Sequence, residues 1–191
     1  NESTAAQHAE GISAFTGTDR WTIRHNFWED TDGTGIIMFA GDGWEIYGNT
    51  CFETGNRSIQ HGNGSFATWS GLTVTNARIV NNTFARISGA VGLNYNTNTG
   101  SSGNYAFNNL WYQCEKVRFN GVTHDYNWFF ESENQSEPNG QMGTGDPFVD
   151  SANHNYNLNI PTQTGLGGLG VPFHVDPEGR IRGADGIWDR G

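Results

Sequence analysis

Four side chains of complementary chemistry stand out in the first third of the chain: two carboxylates, a guanidinium and an imidazole. They are Glu10, Asp32, Arg57 and His61. Carboxylate oxygens are the ligands that calcium prefers, and an arginine or histidine can take a proton from a substrate. We predict that Glu10 and Asp32 bind calcium and that Arg57 or His61 is the catalytic base, if the fold brings the four together.

Simpler interpretations of these residues stay open. Glu10, Asp32 and Arg57 can form a surface charge network, which contributes little to stability. His61 can be a hydrogen-bonded histidine beneath a loop. A second group, Arg24, Glu45, Tyr47 and Arg78, is predicted to face outward from one strand.

Within that second group we assign substrate binding to Tyr47, Arg24 and Arg78, because an exposed aromatic ring suits a sugar face. Glu45 and Arg78 can also simply pair with each other.

An internal repeat determines how these residues can be positioned. An aliphatic residue, two residues, an asparagine, one residue and a large apolar residue recur through the first 130 residues. The repeated asparagines are Asn26, Asn49, Asn82, Asn109 and Asn127. One copy is too short to bury its own apolar face, so stacked copies are needed to form a continuous core.

Stacking predicts columns of like side chains along the axis, about 4.8 Å apart. The interior columns are expected to be Trp21/Trp44/Ala77, Ile23/Ile46/Ile79/Ala106 and Trp28/Cys51/Phe84/Trp111/Phe129. The repeated asparagine is predicted to lie at the bend between two strands. There its amide can bond to turn backbone and to the asparagines above and below.

A second apolar element follows most copies, and Ile36 and Ile59 each lie ten residues after their asparagine. Aligning these elements, with Ile12 as an earlier copy, places Glu10 and Arg57 in one column and Asp32 two positions before it. The same alignment places His61 with Met38, Leu93 and Phe119. The longest insertion, residues 62–76, is expected to roof this edge, so the four residues of the first group should line a groove there.

Composition excludes several classes of protein. Aromatic residues make up 13% of the 191 residues, which argues against disorder, while 27 glycines and 22 asparagines fit a β-rich protein with many turns. The net charge of −10 and the scattered basic residues argue against nucleic acid as a partner. No apolar run approaches the length of a membrane span.

Strings within the repeat resemble the right-handed parallel β-helix proteins of the pectate-lyase-like superfamily. They are Asn81-Asn82-Thr83-Phe84, Ile46-Tyr47-Gly48-Asn49 and residues 103–110, and the tail from Asp146-Pro147-Phe148 to Ile187 resembles the closing segment of secreted bacterial members. The resemblance implies an all-β, right-handed, single-stranded parallel β-helix of about five coils. It also implies lyase chemistry, in which a cation neutralises a uronate carboxylate and a base removes the neighbouring proton.

The chain is expected to divide into coils (1–130), a polar linker (131–145) and a C-terminal segment that packs on the coils (146–191). Its abrupt polar start and end suggest a mature or excised piece of a larger protein. Cys51 and Cys114 are predicted to lie too far apart for a disulfide, with Cys51 a buried free thiol.

Two function classes are left. The first is an extracellular or cell-surface, glycan-active protein with polysaccharide as its partner, most readily a polysaccharide lyase-like enzyme. The second is a non-catalytic structural, adhesive or filament-forming module that self-associates through uncapped coil ends. The resemblance favours the first class.

Overall fold

Short parallel strands that return at equivalent positions in each coil account for most of the regular structure. The computed structural model describes residues 11–15, 17–29, 37–52, 66–68, 71–87, 91–96, 101–114, 116–133 and 135–191. Within these ranges the strands of the coils form three large parallel sheets, and β5 (Gly41–Asp42) and β9 (Val74–Thr75) form a two-stranded parallel pair beside them.

Five coils each contribute one strand to each large sheet, and the third sheet has a sixth strand. The first sheet contains β1 (Ile12–Ser13), β4 (Ile37–Phe39), β8 (Phe66–Thr68), β12 (Val91–Asn96) and β15 (Lys116–Asn120). The second contains β2 (Thr22–Arg24), β6 (Glu45–Tyr47), β10 (Arg78–Val80), β13 (Tyr105–Phe107) and β16 (Thr123–Asp125). The third contains β3 (Phe27–Glu29), β7 (Thr50–Phe52), β11 (Thr83–Ala85), β14 (Leu110–Tyr112), β17 (Trp128–Phe130) and β18 (Gln141–Gly143). The prediction of an all-β parallel β-helix is therefore confirmed.

The columns predicted for the second and third sheets are present. Ile23, Ile46, Ile79 and Ala106 pair in register, as do Trp28, Cys51, Phe84, Trp111 and Phe129. The rings of Phe84, Trp111 and Phe129 stack with centroids 5.3 Å apart at each step. Each such pair contributes about 1 kcal/mol of stability beyond the contribution from its buried area. Trp21 differs from the prediction: it stacks on Trp44 but is 47% exposed.

The register predicted for the first sheet is wrong. Ile12 pairs with Ile37 rather than Ile36, and Ile37 pairs in turn with Phe66 of the strand Phe66–Thr68. Ile59, which was predicted for this column, lies outside the described residues. Ala67 pairs with Met38, the position that the alignment gave to His61. The strand Phe66–Thr68 lies within residues 62–76, the segment that was expected to form a roof. The alignment therefore no longer supports a shared column for Glu10 and Arg57.

The corner between the second and third sheets is built in the same way in every coil. The residue before each repeated asparagine has a left-handed backbone, with φ between 55° and 61°. These residues, the corner column, are His25, Gly48, Asn81, Asn108 and Tyr126. The left-handed residue of the bend therefore lies one position before the repeated asparagine, where the sequence had predicted the bend. Glycine is required in the second coil, because a Cβ on Gly48 would lie 2.6 Å from Cδ2 of His25.

The repeated asparagines form a continuous hydrogen-bonded ladder beside this corner. Oδ1 of Asn82 accepts from the backbone N–H and the Nδ2 of Asn49, at 3.1 and 3.0 Å. Its own Nδ2 donates to the Ile46 carbonyl and to Oδ1 of Asn109. The same pattern joins Asn26 to Asn49 and Asn109 to Asn127. Each interior amide satisfies backbone groups that would otherwise be buried without partners.

Glu137 ends this ladder. Its side chain is fully buried, and its two oxygens accept Nδ2 and the backbone N–H of Asn127, at 2.7 and 2.9 Å. Nδ1 of His124 lies 2.9 Å from the same carboxylate. A carboxylate offers only acceptors, so it cannot continue the ladder into a further coil as an asparagine does.

The C-terminal segment packs on the outside of two sheets. After β18 the antiparallel strands β19 (Phe148–Asp150) and β20 (Asn155–Leu158) flank a short 3₁₀ turn at Ser151–Asn153. Phe148 packs with apolar side chains on the outer face of the third sheet. Phe173 packs against Tyr47 and Val80 on the second.

From Leu166 to the end, the chain lies along the corner column and bonds to several coils. Asn81 donates to the Phe173 carbonyl, Asn108 bonds to Leu166 through both its side-chain oxygen and nitrogen, and Arg190 donates to the Asn127 carbonyl. Arg190 is only 2% exposed.

The cysteines are as predicted: Cys51 and Cys114 are both buried, and they form no disulfide with each other. Burial raises the pKa of the Cys114 thiol to about 12. Among the described residues, no helix has the length and apolar character needed to cross a membrane.

Removing one rung should show how much the fold depends on the ladder. Asn82→Ala leaves buried donors of Asn49 and the Ile46 carbonyl without partners, so we expect a loss of about 3 kcal/mol or more in the free energy of unfolding. Urea unfolding of Asn157→Ala is the control, because Asn157 is an exposed asparagine of the tail. Equal stabilities of the two variants would contradict the role of the ladder.

Glu137→Gln tests how the ladder ends. In the glutamine variant one of the two carboxylate oxygens becomes an NH₂ group. That NH₂ group then faces a donor of Asn127, either its backbone N–H or its Nδ2. We expect a loss of about 1–3 kcal/mol, against almost none for Glu133→Gln at an exposed position. An unchanged urea midpoint in Glu137→Gln would show that acceptor chemistry is not needed there.

Candidate functional site

A cleft of about 970 Å³ lies where the C-terminal segment crosses the corner column. Its floor comes from the first three coils, and its walls are two stretches of the tail, residues 154–161 and 176–191. A volume of this size is in the upper range for ligand sites. This cleft is the candidate site in the described part of the chain.

The floor is a row of polar and aromatic side chains parallel to the stack axis. Phe27, Thr50 and Thr83 occupy equivalent positions of adjacent third-sheet strands, and Asn26 lies beside them. At the usual strand spacing, three positions extend for about 10 Å. Phe27 is 49% exposed, so the floor offers one aromatic face together with hydroxyl and amide groups.

The wall over the third sheet is fixed by His154 and Tyr156. Nδ1 of His154 lies 2.8 Å from a Glu29 oxygen, and the ring of Tyr156 packs 5.6 Å from that of Phe27. These contacts join the tail to the first coil.

The opposite wall is built on a tight hairpin, residues 174–182, which we call the tail hairpin. Val175 pairs with Ile181, and the Gly179 N–H donates to the Asp176 carbonyl across the turn. Because side chains alternate along a strand, His174, Asp176, Arg180 and Arg182 share one face of the hairpin. Ile181, on the other face, is 62% exposed.

His25 faces the tail hairpin from the first coil. Burial lowers the pKa of its imidazole, with further lowering by Arg24 and Arg182. A hydrogen bond to the Val175 backbone and the Asp176 charge act in the opposite direction. Nε2 is buried and has no hydrogen-bond partner.

Charges in the tail hairpin are paired unevenly. Arg180 donates from Nε to Asp176 at 2.6 Å and from Nη2 to Glu178 at 2.7 Å. Burial acts to raise the pKa of the Asp176 carboxyl, but hydrogen bonds from Arg180 together with the charges of Arg180 and Arg182 hold it below its usual value. Arg182 shares no side-chain hydrogen bond or ion pair with another described residue, and its Nε is buried. Burial lowers the pKa of the Arg182 guanidinium.

The first group of predicted site residues cannot be placed. Glu10, Asp32, Arg57 and His61 all lie outside the described residues. Their assignment to calcium binding and catalysis stays a prediction. In the described ranges, no group of three or more histidine, cysteine, aspartate or glutamate side chains is arranged to hold a metal ion.

The second predicted group lies on the second sheet, beside the cleft but not in it. Nη1 of Arg24 lies 3.4 Å from the Tyr47 hydroxyl, and Arg78 forms a 3.7 Å ion pair with Glu45. Tyr47 is only 2% exposed, with the Phe173 ring packed edge-on against it. Its ring is therefore covered by the tail and presents no open face to a sugar.

Sequence reasoning missed the tail as the source of the cleft walls. The order Asp176-Pro177-Glu178-Gly179 is typical of a β-turn and is the signal that could have indicated the tail hairpin. Nothing in the repeat, however, indicates which corner the tail crosses.

The His25 environment predicts a measurable titration. NMR of the imidazole should give a pKa below its ordinary 6.5. Since the unfolded chain binds the proton more readily, His25 contributes stability above that pH, and the contribution is lost as the pH falls through the folded pKa. Asn tolerates the left-handed backbone, so His25→Asn should remove this part of the pH dependence. An NMR midpoint above 6.5 would contradict the burial of the ring.

In comparisons with known proteins, no family model, curated protein or solved structure matched the chain. The likeness to pectate-lyase-like proteins therefore stays a resemblance, and the chain is classified as a parallel β-helix.

Proposed function

We propose that this protein is an extracellular, glycan-active β-helix protein that binds a polysaccharide chain along the cleft. The observation that carries the proposal is the floor of Asn26, Phe27, Thr50 and Thr83, which runs parallel to the stack between two tail walls. A linear polymer needs an elongated groove, and a sugar ring is matched by an aromatic face with hydroxyl and amide partners beside it.

Polysaccharide lyase-like activity is the reaction class that we propose for it. Elimination from a uronate requires a positive group at the carboxylate and a base at the neighbouring carbon. Arg57 or His61 is our proposed base, with calcium at Glu10 and Asp32 as the proposed positive group. This part of the proposal is supported by the resemblance of the repeat and by residue type.

A groove-filling substitution tests the binding proposal. Thr50→Trp places a large ring on the floor of the cleft. We expect it to raise the Kd of a polysaccharide that the parent binds at least tenfold, about 1.4 kcal/mol. Thr123→Trp, at an exposed position of β16, is the matched control and should bind like the parent. Calorimetric titration against uronate and neutral polysaccharides provides the measurement. Equal affinities of the two variants would overturn the location of the groove.

The reaction is tested separately by the ultraviolet absorbance of unsaturated products. Arg57→Ala and His61→Ala should each lower turnover at least tenfold, about 1.4 kcal/mol in the barrier, with binding retained. If the parent binds a glycan without turnover in the presence of calcium, the protein is a glycan-binding module and the lyase proposal fails.

A second candidate function is a structural module that associates through a coil end. The observation in its favour is the first coil, where Phe15, Trp21 and Phe27 are 57%, 47% and 49% exposed. The ladder is closed at Glu137, so stacking onto that end is disfavoured and open filaments are not expected. Light scattering separates the candidates: a dimer, with no glycan bound, would favour the structural module.

A further inference from the structure

Three nitrogen groups with no hydrogen-bond partner lie on the tail hairpin and on the first-coil residue that faces it. They are Nε of Arg182, Nδ1 of His174 and Nε2 of His25, and each atom is buried. Buried polar atoms are normally paired. Several unpaired nitrogens in one place therefore indicate a missing acceptor.

The hairpin geometry brings these groups together. The Arg182 N–H donates to the His174 carbonyl at 2.8 Å, so the two residues are cross-strand neighbours with side chains on one face. His25 faces them from the corner column, bonded to the Val175 backbone and close enough to Arg182 for the guanidinium charge to lower its pKa. His25 and Arg182 both line the cleft.

Carboxylates nearby do not supply the missing acceptor. Asp176 and Glu178 are both held by Arg180. Asp189 accepts a hydrogen bond from the Thr162 hydroxyl at 3.3 Å. The charges of these acids act on the Arg182 guanidinium, but none of the acids forms a hydrogen bond with it. The N–H groups of the guanidinium are therefore available to a ligand in the cleft.

We propose that Arg182, His174 and His25 bind a tetrahedral oxyanion, the chemistry of a sulfate or phosphate group. Three donors from three side chains match three oxygens of such a group, whereas a planar carboxylate has two oxygens that one arginine fork already satisfies. This site goes beyond the proposed glycan function and does not depend on it.

Binding at this site is coupled to protonation of His25. The ring bonds to the Val175 backbone and leaves Nε2 free, so in the neutral form Nε2 carries a lone pair that would face the oxyanion. The imidazole must take up a proton at Nε2 to donate. Arg24 and Arg182 oppose that protonation, and Asp176 and the bound oxyanion favour it. Affinity should therefore rise as the pH falls toward the pKa of His25.

Titration with inorganic sulfate and with inorganic phosphate, at constant ionic strength in sodium chloride, tests the proposal. We expect one saturable site, an upward shift of the His25 pKa seen by NMR, and proton uptake on binding. Arg182→Gln should raise the Kd of either ion at least tenfold, while Arg20→Gln, which removes a positive charge elsewhere on the exposed surface, should leave it unchanged. Thermal melting checks that both variants are folded.

Three outcomes would overturn the site. One is sulfate and phosphate binding of equal strength in the parent and in Arg182→Gln. Another is an equal effect of acetate, which would indicate a carboxylate site. The third is saturation without any change in the His25 titration. Each can occur whether or not the protein binds a polysaccharide, so the two proposals fail independently.

Discussion

The asparagine ladder is the interaction on which the rest of the structure depends. Each interior Oδ1 accepts two donors from the preceding coil, and each Nδ2 donates to a backbone carbonyl and to the next coil. Because these groups are buried, a slip of one residue would leave several of them without partners, at about 1–3 kcal/mol each. The ladder therefore fixes the register of the second and third sheets, and Glu137 fixes where it stops.

The position of the cleft follows from this constraint. A fixed register aligns the corner column and brings its left-handed residues to one line on the surface, where the tail finds bonding groups in successive coils. Because the tail follows that line, its walls stand over the third-sheet positions beside it. The candidate site is thus formed by the repeat and the tail together, with the repeat supplying the floor and the tail supplying most of the charge.

The sequence was informative wherever spacing from the asparagine is short. The columns of Ile46 and Phe84 lie within three residues of a ladder asparagine, so their register could be read directly. The first sheet lies beyond turns of variable length, and the strand of the third coil, Phe66–Thr68, lies within the segment that was predicted to be an insertion. Tyr47 looked exposed because the repeat places it outward, but Phe173 covers it. Contacts of the nonrepeating tail have no periodic signal in the sequence.

A stiff scaffold with an open groove suits an extended ligand better than a compact one. We therefore expect a polysaccharide to bind along the cleft. Hydrogen–deuterium exchange of the protein with and without a bound polysaccharide tests it most directly. We expect slower exchange in residues 154–161 and 176–191 and at the start of the third-sheet strands. Protection confined to the first sheet, or to the exposed coil end around Trp21, would contradict it.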